Sequence, residues 1–350
     1  MSRFTIVFML TVMVALATHP TLAASYAVGT CKPTLPSFAT ISAAVSSVPP
    51  SSTVLVCPGT YPEQVMISQP LTLTGIASAN SAQAVIAVPN GGMVLEIDSV
   101  FGFTLTPQVM VTAGPVTLTN ITVDGTGGNT VVGCEFMLVG IYYASGSSGT
   151  VNEVTTRNQV NFGCGIGILA ANGTSMSESV TIQNSSVHDV DDVGIQAGTN
   201  QVPPTLMATV KGNSVDSGGV GILTYQNAGS VTGNVVSASS TALHLIAPGT
   251  ASGNTITNSG IGILALADGV SATSNRISKV GIGISIGAAS TNVQSNAITR
   301  TTTGIEFNCH TATVAHNTIN DASVGLADVP ASFGSPNNVF NVSTIRTDGC

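Results

Sequence analysis

The chain has no tryptophan, five tyrosines and ten phenylalanines in 350 residues, and only 7% of it is charged. Its core must therefore be aliphatic, and a sugar groove paved with tryptophan is excluded. Basic residues are scarcer than acidic ones, with 8 Lys and Arg against 16 Asp and Glu. That balance argues against a nucleic-acid partner, whose phosphates need clustered cations. It also disfavours an unaided polyanion binder. No two cysteines stand in the CxxC spacing of a zinc site. Beyond the N-terminus no segment is apolar enough to cross a membrane.

The N-terminus itself reads MSRFTIVFMLTVMVALATHPTLAAS. Arg3 precedes an apolar run from Phe4 to Ala17 that is shorter than the roughly 20 residues of a membrane span. Small residues at Ala23 and Ala24 offer a cleavage site, so residues 1–24 are expected to be an export signal. No lipid-anchor motif surrounds Cys31. The expected product is secreted or extracellular, with periplasm or cell surface as variants, and does not insert into a membrane. Removing Arg3 leaves 7 Lys and Arg against 16 acids, a net charge of −9.

All six cysteines lie in the exported part, an even number in a disulfide-permissive compartment. Cys31 and Cys57 bracket the first folded segment and are expected to pair. Cys134–Cys164 and Cys309–Cys350 follow by elimination.

From Asn213 onward the chain repeats: "GNSVDSGGVGILT", "GNVVSASSTALHL", "GNTITNSGIGILA", "SNRISKVGIGISI", "SNAITRTTTGIEF" and "HNTINDASVGLAD". Asn213, Asn234, Asn254, Asn275, Asn296, Asn317 and Asn338 recur with a period of 21 and one step of 20. Such a period means a solenoid or related array. Each repeat carries short β-branched runs of period two, with no helical spacing and no six- or nine-residue subperiod. Three short strands per turn joined by polar corners is the remaining solution, an all-β parallel β-helix. Stacked coils lie about 4.8 Å apart, so equivalent side chains form columns. Asn suits one corner because it tolerates a left-handed backbone and its amide can bond the Asn above and below. Gly140, Gly167, Gly194, Gly221, Gly262, Gly283, Gly304 and Gly325 form another column, with Ala242 in the same register. Val193, Ile195, Ile261, Ile263, Ile282 and Ile284 are expected to alternate into the core.

"FATISAAVSSV" puts Phe38, Ile41, Ala44, Val45 and Val48 on one helical face, suited to capping the open end of the solenoid. The chain thus divides into a cap and first coils at 25–75, longer irregular coils at 76–212, and regular coils at 213–350. Steps of about 27 to 32 residues in the middle part imply extra loops, which in such arrays fall on the binding face.

The stretch "FATISAAVSSVPPSSTVLVCPGTYPEQVMISQPLTLTG" resembles the opening of pectin methylesterases and of other right-handed β-helix proteins in the pectin-lyase-like superfamily. The matching residues include Thr40-Ile41, Ala44-Val45, Pro49, Gly59-Thr60-Tyr61, Glu63, Val65, Leu71, Leu73 and Gly75. The resemblance implies a right-handed helix and says little about activity, since that fold hosts esterases, lyases, hydrolases, epimerases and non-catalytic surface proteins. The esterases' Gln-Asp pair, Asp-Phe-Ile-Phe-Gly and Gly-Arg-Pro-Trp segments are absent, so that activity is not expected. Pectate lyases use a calcium-binding carboxylate set with Arg or Lys as base, and here only Lys279 and Arg300 stack as cations. Asp191-Asp192-Val193 is similar to the Asp-Asp-Cys motif of polygalacturonases, without its companion segments.

The segment "VHDVDDVGIQ" gathers His188, Asp189, Asp191 and Asp192 in a chain poor in charge. Ser185 takes the ladder position of this coil, which puts His188 in the column of Asp216, about 5 Å away in the next coil. Glycosidases use two carboxylates roughly 5 to 9.5 Å apart, so these residues are the candidate catalytic set. Calcium at the Asp189–Asp192 corner is allowed by the same oxygens. A solvated turn is the competing reading, because corners face water and Asp favours turns.

The outward column beside the glycines runs Tyr142, Leu169, Gln196, Leu223, His244, Leu264, Ser285, Glu306 and Ala327. Gln196, His244, Tyr142 and Tyr225 are the candidate substrate contacts, although three leucines are odd for a sugar groove. Lys279 and Arg300 lie four or more coils from Asp189, and Arg300 is expected to pair with Asp321. Asn120, Asn172, Asn184 and Asn341 lie in Asn-x-Ser/Thr sequons. Two functions follow as expectations: a protein that binds or hydrolyses an extracellular or cell-wall polysaccharide, or a non-catalytic surface or adhesive scaffold.

Overall fold

The 21-residue period becomes one turn of a right-handed parallel β-helix in the computed structural model, which describes residues 24–77, 83–94, 96–128, 134, 136–203, 205–226 and 229–350. The expected export signal lies outside the described residues, Ala24 excepted. Each turn crosses three faces. The first face is a 13-stranded sheet, and the second and third faces share a 21-stranded sheet that bends between them. Among the described residues all strand pairs are parallel except the short pair of Ile97–Asp98 with Thr104–Val111, and the pairing of Ser186–Val190 with Ser214–Ser217 shifts register between Val187 and Val190.

The registers give the core. On the second face Val187, Val215, Val236, Ile256, Ile277, Ile298 and Ile319 stack coil on coil. On the third, Ile141, Ile168, Ile195, Ile222, Leu243, Ile263, Ile284, Ile305 and Leu326 do the same. Nearly all are fully buried. Each such side chain contributes about 1.5–3 kcal/mol through burial, which replaces what large aromatics supply elsewhere.

The glycine column has a steric cause. A Cβ on Gly283 would lie 2.4 Å from the Gly304 carbonyl oxygen and 2.7 Å from Ile298 Cγ2. The strand bends there so that the glycine and the residue after it both face the interior. Simple alternation therefore fails. Ile195, Ile263 and Ile284 reach the core, whereas Ile261 and Ile282 are only half-buried and Val193 packs into a second apolar cluster on the outer side of the third face.

The asparagine ladder is buried and continuous. Asn254 Nδ2 donates to Asn275 Oδ1 at 2.9 Å and to the Val231 carbonyl at 3.0 Å, while the Asn254 backbone N–H donates to the same Oδ1 at 3.0 Å. The pattern repeats from Asn213 to Asn317, and Ser185 precedes it as expected. Two expectations are corrected. The last rung is Asn337, not Asn338, because Asn317 bonds Asn337 Oδ1. The left-handed residue is not the ladder Asn but the one before it: Gly212, Gly233, Gly253, Ser274, Ser295 and His316 have φ between 56° and 65°.

The N-terminal end is closed by the helix Ile41–Ser47, whose Ile41, Ala44 and Val45 are buried. Phe38 lies in the preceding strand Ser37–Phe38 rather than on the helix. The Glu63 carboxylate accepts from the Ile41 and Ser42 N–H groups, each at 2.8 Å, which satisfies two donors that a helix start leaves open. The Tyr61 hydroxyl donates to the Cys57 carbonyl at 2.8 Å. These contacts account for the Gly-Thr-Tyr…Glu stretch. Three disulfides form as expected: Cys31–Cys57, Cys134–Cys164 and Cys309–Cys350. Such bonds persist in oxidising compartments. Among the described residues no helix is long and apolar enough to cross a membrane.

Candidate functional site

The acidic segment crosses the corner between the second and third faces, from the strand Ser186–Val190 to the strand Val193–Thr199. Asp189 turns the corner with φ 56°. Its carboxylate meets His188 Nδ1 at 2.6 Å; the Asp189 side chain is exposed and that of His188 partly so. Asp216, one coil on, is exposed as well. The registers Ser186–Ser214 and Val187–Val215 bring His188 level with Asp216 before the pairing shifts at Val190.

Asp191 has another role. Its Oδ2 accepts from the Asn161 N–H at 2.9 Å and the Gly163 N–H at 2.7 Å, and its Oδ1 from the Gly165 N–H at 2.7 Å. The donors converge because Asn158, Phe162 and Gly163 all take left-handed backbone, which folds the 158–165 loop into a nest of N–H groups. Gly165 must lack a side chain, since a Cβ there would lie 2.6 Å from Asp191 Oδ1. The Cys134–Cys164 disulfide ties down the end of this loop. Asp191 is thus the anchor of a loop contributed by the preceding coil.

Asp192 is the free group of the set. Its backbone is fixed, with N–H to the Gly165 carbonyl at 3.3 Å and its carbonyl accepting from Val220 at 2.7 Å. Its carboxyl is half-buried and has no hydrogen-bond partner among the described residues. The residues beside it in the adjacent coils are Gly165 and Gly219, which have no side chains of their own, although the Asp191 carboxylate and the Gln159 carbonyl fill the space beside Gly165. Burial, and then the charge of Asp191, push the Asp192 carboxyl up to about 6. On the neighbouring loop Phe162 is 58% exposed and Val160 45% exposed, giving the corner an aromatic and an aliphatic surface. Composition concealed that aromatic platform. The glycine-rich "NFGCG" turn, which contains Cys164, was the signal that could have found it.

The calcium that the sequence allows at this corner finds no ligand set there. Among the described residues no three His, Cys, Asp or Glu side chains gather where they could hold a metal. Both Asp191 oxygens are already committed to N–H donors, and those N–H groups would repel a cation.

The outward column of the third face is in the expected register from Tyr142 to Ala327. Its first part is not an open groove. The segment 97–101 lies across it and brings Ile97, Val100 and Phe101 onto a cluster with Leu105, Met110, Tyr142, Leu169 and Val193. Asn200 Nδ2 secures this strap by donating to the Val100 carbonyl at 3.1 Å. Tyr142 is only 2% exposed, and burial, then the Glu178 charge, push its phenol up to about 12. Gln196 is 9% exposed. Tyr225 stands edge-on to Phe101, with centroids 5.8 Å apart. Tyr142 and Tyr225 pack against the strap and Gln196 is buried, so none of the three lines an open cleft, and the odd leucines at 169 and 223 are explained as the strap's seat. His244, between Leu223 and Leu264, is half-buried with Nε2 unpartnered, and burial lowers its basicity. A cavity of about 290 Å³ between Phe307, Val314, Pro330 and Phe333 has no ionisable side chain in its lining.

Of the predicted residues, the fold therefore brings His188, Asp189, Asp191, Asp192 and Asp216 to one corner and separates Tyr142, Gln196, Tyr225 and His244 from it. The expected Arg300–Asp321 ion pair does not form. The ion pairs among the described residues are Arg157–Asp124, His188–Asp189 and Arg346–Asp348.

No protein-family model matches the chain, and no curated protein matches its sequence. Solved structures do match in shape. The A-module of the Azotobacter vinelandii mannuronan C-5 epimerase AlgE4 is 16% identical with a TM-score of 0.60, over 87% of this chain and 90% of that one. The GH136 lacto-N-biosidase of Eubacterium ramulus is 12% identical with a TM-score of 0.59, over 90% of this chain and 68% of that one. The Dettilon tailspike protein is 13% identical with a TM-score of 0.52, over 85% and 62%. At these identities the likeness establishes the parallel β-helix fold and nothing finer.

Proposed function

We propose that the protein is exported, binds an extracellular polysaccharide at the corner between its second and third faces, and uses Asp192 to transfer a proton to or from the bound sugar. The observation that carries this reading is the pairing of a fully engaged Asp191 with a half-buried Asp192 that has no hydrogen-bond partner among the described residues and is flanked in the adjacent coils by glycines. A carboxyl held near 6 can act as acid or base close to neutral pH. Exposed Phe162 offers a face on which a sugar ring can stack. Asp191 is too heavily bonded to serve as a nucleophile, so a two-carboxylate hydrolysis would need Asp189 or Asp216 as the second group. Two proteins of similar shape are, by name, a mannuronan epimerase and a lacto-N-biosidase. Three disulfides support export.

A panel of acidic and neutral polysaccharides, assayed for new reducing ends and for unsaturated products, tests this. Turnover by the wild type and its loss in Asp192→Asn is the expected result. Undiminished turnover in that variant removes Asp192 from the chemistry. The strap over the third face favours a second reading, a non-catalytic scaffold, since it closes the surface that would otherwise form the longest groove. Glycan binding without turnover across the panel would decide for the scaffold.

A further inference from the structure

The corner between the second and third faces is held in most coils, the Asn213 coil excepted, by a residue in the left-handed region. Asn158, Asp189, Ala238, Asn258, Lys279, Arg300, Asp321 and Asn341 share φ values between 53° and 60°. Asn and Asp suit that conformation because their short polar side chains bond locally, and Lys and Arg have no such compensation. Two cations therefore occupy positions that local backbone preference assigns to other residues. The registers Ser278–Thr299 and Val280–Thr301 also put Lys279 directly opposite Arg300. Stacked coils lie about 4.8 Å apart, and like charges facing each other at that spacing are unfavourable.

No ion pair relieves the repulsion. Both side chains are exposed, and neither has an ion-pair partner among the described residues. Asp321 follows Arg300 in the column, through the registers Thr299–Asn320 and Thr301–Ala322, yet the two form no ion pair. Arg276 adds a third exposed charge on the second face of the Lys279 coil. Of the eight Lys and Arg in the chain, Arg3 lies outside the described residues and Arg157 and Arg346 are ion-paired. Three of the other five thus sit on two adjacent coils of an acidic protein. Beside them runs an in-register row of hydrogen-bonding groups, Thr257, Ser278, Thr299 and Asn320.

We propose that Lys279, Arg300 and Arg276 form an anion subsite for a glycan bearing carboxylate or sulfate groups, whose chain runs along the corner parallel to the coil axis toward Asp192. This rests on the glycan-binding reading above and names its ligand class. Asp189 and Lys279 belong to one column and are four coils apart, roughly 19 Å. A single sugar cannot bridge that gap, and an oligosaccharide several units long can. The cations hold an anionic group on one sugar, while the acidic corner receives a different sugar of the same chain. An acidic protein thereby acquires affinity for an acidic polymer in one register only, because any other alignment lays anions against Asp189 and Asp216. The local charge arrangement here outweighs the net charge, which alone disfavours such a ligand.

Calorimetric titration with an oligouronate, a sulfated oligosaccharide and a neutral oligosaccharide of equal length tests the subsite. The wild type is expected to prefer at least one acidic ligand, and added salt to erase the preference. Lys279→Gln with Arg300→Gln should weaken that ligand about tenfold, or about 1.4 kcal/mol, and leave the neutral one unchanged. The charge-retaining double variant Lys279→Arg, Arg300→Lys should keep most of the affinity, which separates charge from folding. Greater loss on the oligouronate assigns carboxylate, and greater loss on the other acidic ligand assigns sulfate. Equal affinity of wild type and double Gln variant for both acidic ligands would overturn the subsite. So would a wild type that binds the neutral ligand as tightly, with the glycan-binding reading left standing. If no oligosaccharide binds at all, that reading falls too.

Discussion

Asp191 and Asp192 adjoin in the chain and share no hydrogen-bond donor: three backbone N–H groups of the preceding coil close on Asp191, and none reaches the carboxyl of Asp192. Substituting the two should therefore have opposite effects. Asp191→Asn replaces one acceptor oxygen by a donor facing N–H groups, and is expected to cost about 2–4 kcal/mol in urea unfolding. Asp192→Asn is expected to leave stability at neutral pH unchanged or raised. Equal destabilisation by both would refute the division of roles.

The pH dependence of stability carries the same signature. Asp192 titrates near 6 in the folded chain, against about 3.9 for an unperturbed Asp. The folded state keeps its proton longer, so this group's contribution falls as pH rises from about 4 to about 6 and stays low above that. Discounted for its exposed part, the loss is about 1–2 kcal/mol. Melting curves of wild type and Asp192→Asn should coincide near pH 4 and separate by pH 7, the variant being the more stable. Any turnover by the wild type should likewise show a limb near pH 6, rising with pH if Asp192 is the base and falling if it is the acid.

The ladder makes a position-specific prediction. Asn254→Ala strands the Asn234 N–H and amide donors and the Val231 carbonyl in a dry interior, at a cost of about 3 kcal/mol or more. At the last rung, Asn337→Ala should destabilise and Asn338→Ala should not, although the repeat in the sequence points to Asn338. Thermal unfolding of the pair decides it.

Gly283→Ala is expected to cost about 1–3 kcal/mol, since its methyl would press on the Gly304 carbonyl and Ile298. Gly334→Ala, with open space around the added carbon, should change stability by less than about 0.5 kcal/mol. Similar losses at both sites would show that crowding is not what keeps Gly283.

What could be read from the sequence follows from what repeats. Asn254, Asn275 and Asn296 do one job in successive coils, so their spacing announces the coil, and the columns then place His188 beside Asp216. The strap carrying Val100 and Phe101 occurs once and has no period, which is why Tyr142 and Gln196 read as open surface. The role of Asp191 was hidden for a different reason. Its partners are main-chain N–H groups of a loop 26 to 30 residues earlier, and backbone donors leave no mark on side-chain identity. Asn338 was misread because two asparagines adjoin, and only the register selects Asn337.

Every rung from Asn213 to Asn317 donates toward its C-terminal neighbour, and Asn234 through Asn337 each accept from the N-terminal one. The amide stack consequently has a sense of direction, like a zipper whose teeth all lean one way. Removing one whole winding would rejoin matching teeth. Removing any other number of residues would leave a donor facing a donor or a side chain on the wrong wall. Viable length variants of this rod should accordingly differ by complete windings, with irregular additions tolerated only where they bulge out of the wall as loops.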